Sequence, residues 1–161
     1  MDLSGGRPKS TRRKPSGSKS ADEEPRLGML VKRAEQAMVR AKSVALKFVG
    51  LTPAQYVALV ELDHQPGITA ATLARACLVT PQAMMILLKT MEQQGLISRS
   101  SHPRHPNVLE LHMTDVGREA LEGAHERVDP VEERVFDAFS AKELVVFRGL
   151  LSRFIDAFER G

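Results

Sequence analysis

Apolar residues along this chain recur first with the period of a helix, then briefly with that of a strand, then as a helix again. Leu27, Leu30, Val31, Ala34, Met38, Ala41, Ala45 and Phe48 form one stripe that stops at Gly50. A second helix is predicted from about Pro53, holding Tyr56, Val57, Val60 and Leu62, and Gln65-Pro66-Gly67 ends it. Thr69 then precedes a short run in which Ala70, Leu73, Ala74 and Cys77 share a face. Leu78 and Val79 make a turn. Thr80 carries the hydroxyl of an N-cap, and Pro81 suits the first helical position, where its missing N–H costs nothing. Met84, Leu87, Leu88 and Met91 repeat the helical spacing until Gly95 stops it.

The period then changes. Leu96-Ile97-Ser98-Arg99 is predicted as one strand and Val108–Met113 as its partner, alternating apolar and polar from Leu109 onward. The link over residues 100–107 holds Pro103 and Pro106 and is expected to project as a loop, because proline cannot donate to a ladder. Two short helices joined by a turn and followed at once by a hairpin have the plan of a winged-helix DNA-binding module. A pair of ordinary core helices is the blander reading, and the hairpin weighs against it.

Beyond the hairpin the helical period returns. Asp115 is a candidate cap for a helix through Leu121, and Pro130 is expected to kink or restart it, with Asp129 capping the restart. Ser140-Ala141-Lys142-Glu143 is a capping box for a last helix. There Leu144, Phe147, Leu151, Phe154, Ile155 and Phe158 keep a coiled-coil-like spacing. Five of the six Phe residues lie between 136 and 158, more aromatic surface than one intrachain helix pair needs, so a dimer interface is expected there.

Composition narrows the function classes. At 161 residues and 42% apolar, the chain fits one domain or two merged lobes. No apolar run reaches membrane-spanning length and the first residues lack an apolar leader, so a cytoplasmic protein without a membrane role is expected. A lone cysteine rules out an intramolecular disulfide. Residues 1–20 hold six cations against Asp2 alone, a net of +5, which leaves −2 for the remainder of the +3 total. The folded part is therefore not basic, and affinity for nucleic acid must come from local patches and from the tail. That tail, residues 1–25, is expected to be disordered and either to touch phosphates or to serve as a solubilising linker.

The ordered set Leu51-Thr52-Pro53-Ala54-Gln55-Tyr56, Thr69 to Leu73-Ala74, Thr80-Pro81-Gln82, Gly95-Leu96-Ile97 and Thr114-Asp115-Val116-Gly117-Arg118 resembles the MarR family of bacterial transcription regulators. The resemblance covers roughly residues 27–158. It implies a mainly α fold with a small β-hairpin wing, a winged helix-turn-helix flanked by N- and C-terminal dimerisation helices. The boundaries it suggests are a tail at 1–25, a first dimerisation helix at 26–50, the DNA-binding domain at 51–114 and dimerisation helices at 115–161. It also implies a homodimer on palindromic double-stranded DNA, often released by a small, frequently phenolic ligand. Where such wings usually carry Asp-Arg-Arg, this chain has His105-Pro106-Asn107, with Arg104 beside them.

Candidate residues follow. Thr80, Gln82, Ala83, Met85, Ile86, Lys89 and Thr90 lie on the helix expected to read DNA: Gln82 suits adenine, Ala83, Met85 and Ile86 thymine methyls, Lys89 and Thr90 phosphates. Met85 or Ile86 turning inward is the alternative. Arg99, His102, Arg104, His105 and Asn107 belong to the wing. Leu144, Phe147, Leu151, Phe154 and Phe158 are the dimer candidates. The resemblance places a ligand pocket where the dimerisation helices meet the winged helix, with Phe48 and Tyr56 as candidate walls; core filling is the alternative for both rings. His102, His105 and His112 are too few for a structural zinc site, and no metal or cofactor is expected. His125, between Glu122 and Glu126, is no better a ligand. Cys77 reads as core rather than as a redox switch. No catalytic constellation is visible, so an enzyme is not expected. The competing class is a winged-helix protein-interaction module without specific DNA binding.

Overall fold

The structure, a computed structural model, describes residues 26–159; the basic tail expected over residues 1–25 lies outside the described residues. The elements run α1 (Leu27–Leu46), a 3-10 turn (Lys47–Val49), α2 (Pro53–His64), α3 (Ala70–Ala76), α4 (Pro81–Gln93), β1 (Ile97–His102), β2 (His105–Met113), α5 (Asp115–Asp137) and α6 (Ala141–Glu159).

Hydroxyl caps set the helix starts. Thr52 accepts the Gln55 N–H at 3.2 Å while the Gln55 side chain accepts the Thr52 N–H at 2.9 Å, a complete capping box. Thr69 and Thr80 accept from Thr72 and Ala83 in the same way. At α5 the cap is Thr114, not Asp115: the Thr114 hydroxyl accepts the Gly117 N–H at 3.0 Å and donates to the Gly95 carbonyl. Asp115 moves into the first turn, where its charge suits the helix N-terminus. Gly117 has no room for a side chain, since a Cβ would come within 2.1 Å of the Leu96 carbonyl oxygen.

The core is one cluster. Leu59 and Leu62 of α2, Leu73 of α3, Met84, Leu88 and Met91 of α4 and Leu111 of β2 are shut off from solvent. Leu121, Ala124 and Val128 of α5 and Leu46 of α1 extend it. Gly67 and Ile68 pair with Leu111 at 3.1 Å each way, so the loop before α3 lies along the free edge of β2.

The proline-bounded loop is overturned, and of the two outcomes expected at Pro130 the restart does not occur. The hairpin does not open into a loop at residue 100; the strands run on to His102 and His105, leaving Pro103-Arg104 as a two-residue turn. Ser101 pairs with Leu109 and His102 with His105, so residues 106–108 form a bulge in β2. Pro106 falls in that bulge, where its missing N–H costs no ladder bond. Nor does Pro130 restart α5, which continues through it to Asp137. The buried row of Leu121, Ala124 and Val128, held against α1 and α2, keeps the helix continuous.

The terminal helices differ from the rest. In α1 only Leu46 is buried, and the expected stripe from Leu27 to Met38 stands in solvent. In α6 nothing is buried. The turn before it stacks Phe139 on Phe147 with ring centroids 5.4 Å apart, and Arg148 lies 6.0 Å over Phe136.

Candidate nucleic-acid interface

The reading surface follows from the helical period of α4. With Met84, Leu88 and Met91 buried, the opposite face must carry Gln82, Ala83, Met85, Ile86, Lys89, Thr90 and Gln93, and all seven are exposed. Met85 and Ile86 do not turn inward; they are 48% and 71% exposed. Thr80 keeps its hydroxyl on the Ala83 N–H, and Thr90 donates to the Ile86 carbonyl at 3.2 Å. Leu78, in the turn ahead of α4, takes a positive φ of 55° and is almost fully exposed.

Met85, Ile86, Lys89, Glu92 and Arg99 line an open groove of about 590 Å³ between α4 and the base of the wing. Glu92, absent from the candidates, governs its charge. Its carboxylate accepts from Arg99 Nε at 2.7 Å and from Nη2 at 3.1 Å, a bidentate pair that joins the reading helix to the wing. Arg99 is thus half-buried and already partnered, unlike Lys89 and Arg104, which are exposed. The signal was visible: Glu92 closes the last turn of a helix and Arg99 enters the strand just past Gly95.

At the wing tip, Arg104, His105 and Asn107 are exposed and His102 is half-buried. The ring of His102 lies 5.0 Å from that of His105. Glu110 faces both His102 and His112. Among the described residues no group of three or more His, Cys, Asp or Glu is placed to hold a metal ion.

The two ligand candidates part company. Tyr56 is 8% exposed in the core, and its hydroxyl shares a 3.2 Å hydrogen bond with His125 Nδ1. Burial pushes the phenol above its ordinary value, and the charges of Glu132 and Asp129 add to that, so it keeps its proton. Phe48 is 75% exposed, with the Arg127 guanidinium 5.5 Å above its ring. Both rings meet α5, two residues apart. Cys77 is half-buried, and burial, with Glu61 adding to it, pushes its thiol up to about 11, which blunts its reactivity. Of the dimer candidates, Leu144, Leu151 and Phe154 are half-buried, while Phe147 and Phe158 are exposed. Among the described residues no single helix is long and apolar enough to cross a membrane.

Comparison with known proteins agrees with this architecture. A MarR family model matches residues 49–105. The HTH-type transcriptional repressor Rv2887 of Mycobacterium tuberculosis is 32% identical over 133 residues, 83% of this chain and 95% of that protein. Its structure in complex with salicylic acid superposes with a TM-score of 0.64, covering 83% of this chain and 98% of that one. The transcriptional repressor CouR, bound to a 23-mer DNA duplex, is 26% identical with a TM-score of 0.74, covering 80% and 92%. The Staphylococcus aureus MepR–DNA complex, at 20% identity and a TM-score of 0.78 over 83% of this chain and 99% of that one, shares the fold. A hydroxyl-capped reading helix, a short wing and nearly naked terminal helices therefore sit in a lineage: this chain belongs to the MarR family of winged helix-turn-helix transcription regulators.

Proposed function

We propose that the protein is a homodimeric repressor that lays α4 in the major groove of a palindromic operator and sets its wing beside it. The row Gln82, Met85, Ile86 and Lys89, standing in solvent beyond a core closed behind it, carries this reading. Gln82 pairs with adenine, Met85 and Ile86 meet thymine methyls, and Lys89 and Arg104 meet phosphates. Residues 51–114 then form the DNA-binding part, and 26–50 with 115–161 the dimerising part. Two half-sites need a fixed two-fold spacing, which the exposed apolar faces of α1 and α6 supply by pairing with a second copy.

The related structures with salicylic acid and with DNA support control by a small aromatic ligand. In this chain such a ligand would lie where Phe48 and Tyr56 meet α5, and would act by favouring a spacing of the reading helices that does not fit DNA. A mobility-shift assay on the region upstream of the protein's own gene tests the reading. A retarded complex that resists scrambled competitor, and that an aromatic acid dissolves, is the expected result. Equal affinity for operator and scrambled duplex would favour the interaction module, which the neutralised Arg99 and the apolar reading face recommend.

A further inference from the structure

We infer that the wing binds duplex phosphates with a charge set by protonation of His102, His105 and His112. The inference rests on the reading that this chain grips duplex DNA, and it adds which wing atoms do so and under what condition.

Register gathers the imidazoles. Glu110 pairs with Ser100, so Ser98, Ser100 and His102 of β1 share a face with Glu110 and His112 of β2. His105 closes the last rung opposite His102, with the two rings tilted by 38°. One carboxylate serves two rings: Glu110 Oε1 lies 3.6 Å from His102 Nε2 and Oε2 lies 3.4 Å from His112 Nε2. The Arg104 N–H donates to His102 Nδ1 at 3.0 Å, which assigns the proton of the neutral ring to Nε2, on the Glu110 side.

With the imidazoles neutral, the exposed Arg104 is the cation that meets a phosphate at the tip, and the Glu110 carboxylate subtracts from the attraction of the hairpin as a whole. The elements packed on the hairpin do not change that balance. Arg99 holds Glu92 of α4, and Arg118 of α5 faces Asp63 of α2 at 3.6 Å. Arg75 of α3 donates to Thr72, and the loop before α3 brings only Gly67 against Glu110. His64 ends α2 exposed, Glu61 of the same helix bears on Cys77, and Asp115 follows the far end of β2. Each proton taken up therefore makes the wing more positive, at its tip for His102 and His105 and nearer its base for His112, which pairs with Ser98. Nearby phosphates favour the charged ring, so binding takes up protons. The bound state holds more protons than the free one, so affinity rises as pH falls.

The experiment uses the full chain and a duplex that the protein itself selects from a random-sequence pool, with a scrambled duplex beside it. Affinity is measured at constant ionic strength from about pH 5.5 to about pH 8.5. It should rise as pH falls, by about tenfold per pH unit for each proton taken up. Calorimetry in buffers of different ionisation heat should read the same uptake directly. The triple variant His102→Gln, His105→Gln, His112→Gln should flatten the profile, whatever affinity it retains at the alkaline end. Glu110→Gln should raise affinity at that end by deleting the compensating charge. A flat profile in the unmodified protein overturns the inference, as does a slope that survives in the triple variant and so belongs to His64 or His125. A protein that holds no duplex at any pH sinks the DNA reading itself, a result distinct from either.

Discussion

Met84, Leu88 and Met91 of α4 are sealed from solvent, whereas Val145, Leu150 and Ile155 of α6 stand in it, although both helices have apolar faces of similar strength. The winged helix meets its own apolar surface within one chain: α2, α3, α4, the hairpin and the first part of α5 close on each other. The first part of α1, from Leu27 to Met38, and the whole of α6 bury no apolar side chain in that core. The difference teaches which part of the molecule is a unit in itself and which is half of something. An apolar patch of this extent on a small protein marks a surface that another molecule covers. On the function proposed above, a second copy of the chain is that cover.

The sharpest way to break that comparison is Phe154→Asp. In a paired interface it buries a charge without a partner, which costs more than burying an unpaired neutral polar group, itself roughly 2–7 kcal/mol. Light scattering should show dimers becoming monomers, and operator binding should fall with them. An unmodified protein that is already monomeric at assay concentrations would end the contrast. Leu88→Ala probes the other side. It should cost about 2–5 kcal/mol in denaturant unfolding, because the cavity opens inside the closed core. A cost close to that of an exposed substitution would mean that the winged helix depends on the dimer for its stability.

Gly117→Ala sharpens the boundary between the two regions, where α5 leaves the wing. Its Cβ would strike the Leu96 carbonyl and Met113, so strain of about 1–3 kcal/mol is expected as a lowered melting temperature. Gln82→Ala should leave stability and oligomeric state alone and cost about 1–3 kcal/mol on the operator, measured by anisotropy titration. An equal loss on random duplex would show that Gln82 reads no base. The smallest effect lies at α6. Ser140 donates to Glu143 and holds its carboxyl below the usual range. A depressed carboxyl contributes stability above its unfolded range and loses it as pH falls through the folded one. Helicity of α6 should therefore decline slightly below the ordinary carboxylate range, and Ser140→Ala should weaken that dependence in circular dichroism, the backbone N–H of residue 140 still donating to Glu143.

Much of the fold was legible because its signals are local. Thr52, Thr69, Thr80 and Ser140 cap helices through bonds three residues away, and Gly95 ends α4 with a φ of 71°. The exposed face of α4 followed from its period alone, down to Met85 and Ile86. The expected link over 100–107 was too long because proline was read as a veto on pairing. A ribbon with a bulge has positions that need no donor, and only the partner strand reveals them.

The candidate site divides along the same line. The amino-acid sequence by itself determined most of the elements, the exposed face of α4 and the apolar character of the ends, since helical and strand periods and hydroxyl caps act within a few residues. Tertiary structure alone decided which charges remain free. Glu92 claims Arg99 across a turn, and Glu110 is shared by two rings through strand register. Tyr56 meets His125 across 69 residues, while Phe48 is left in solvent beneath Arg127. It also decided that α5 runs through Pro130, because burial of Leu121, Ala124 and Val128 outweighs one missing hydrogen bond. These are contests between distant groups for one partner, and no local pattern encodes their winner.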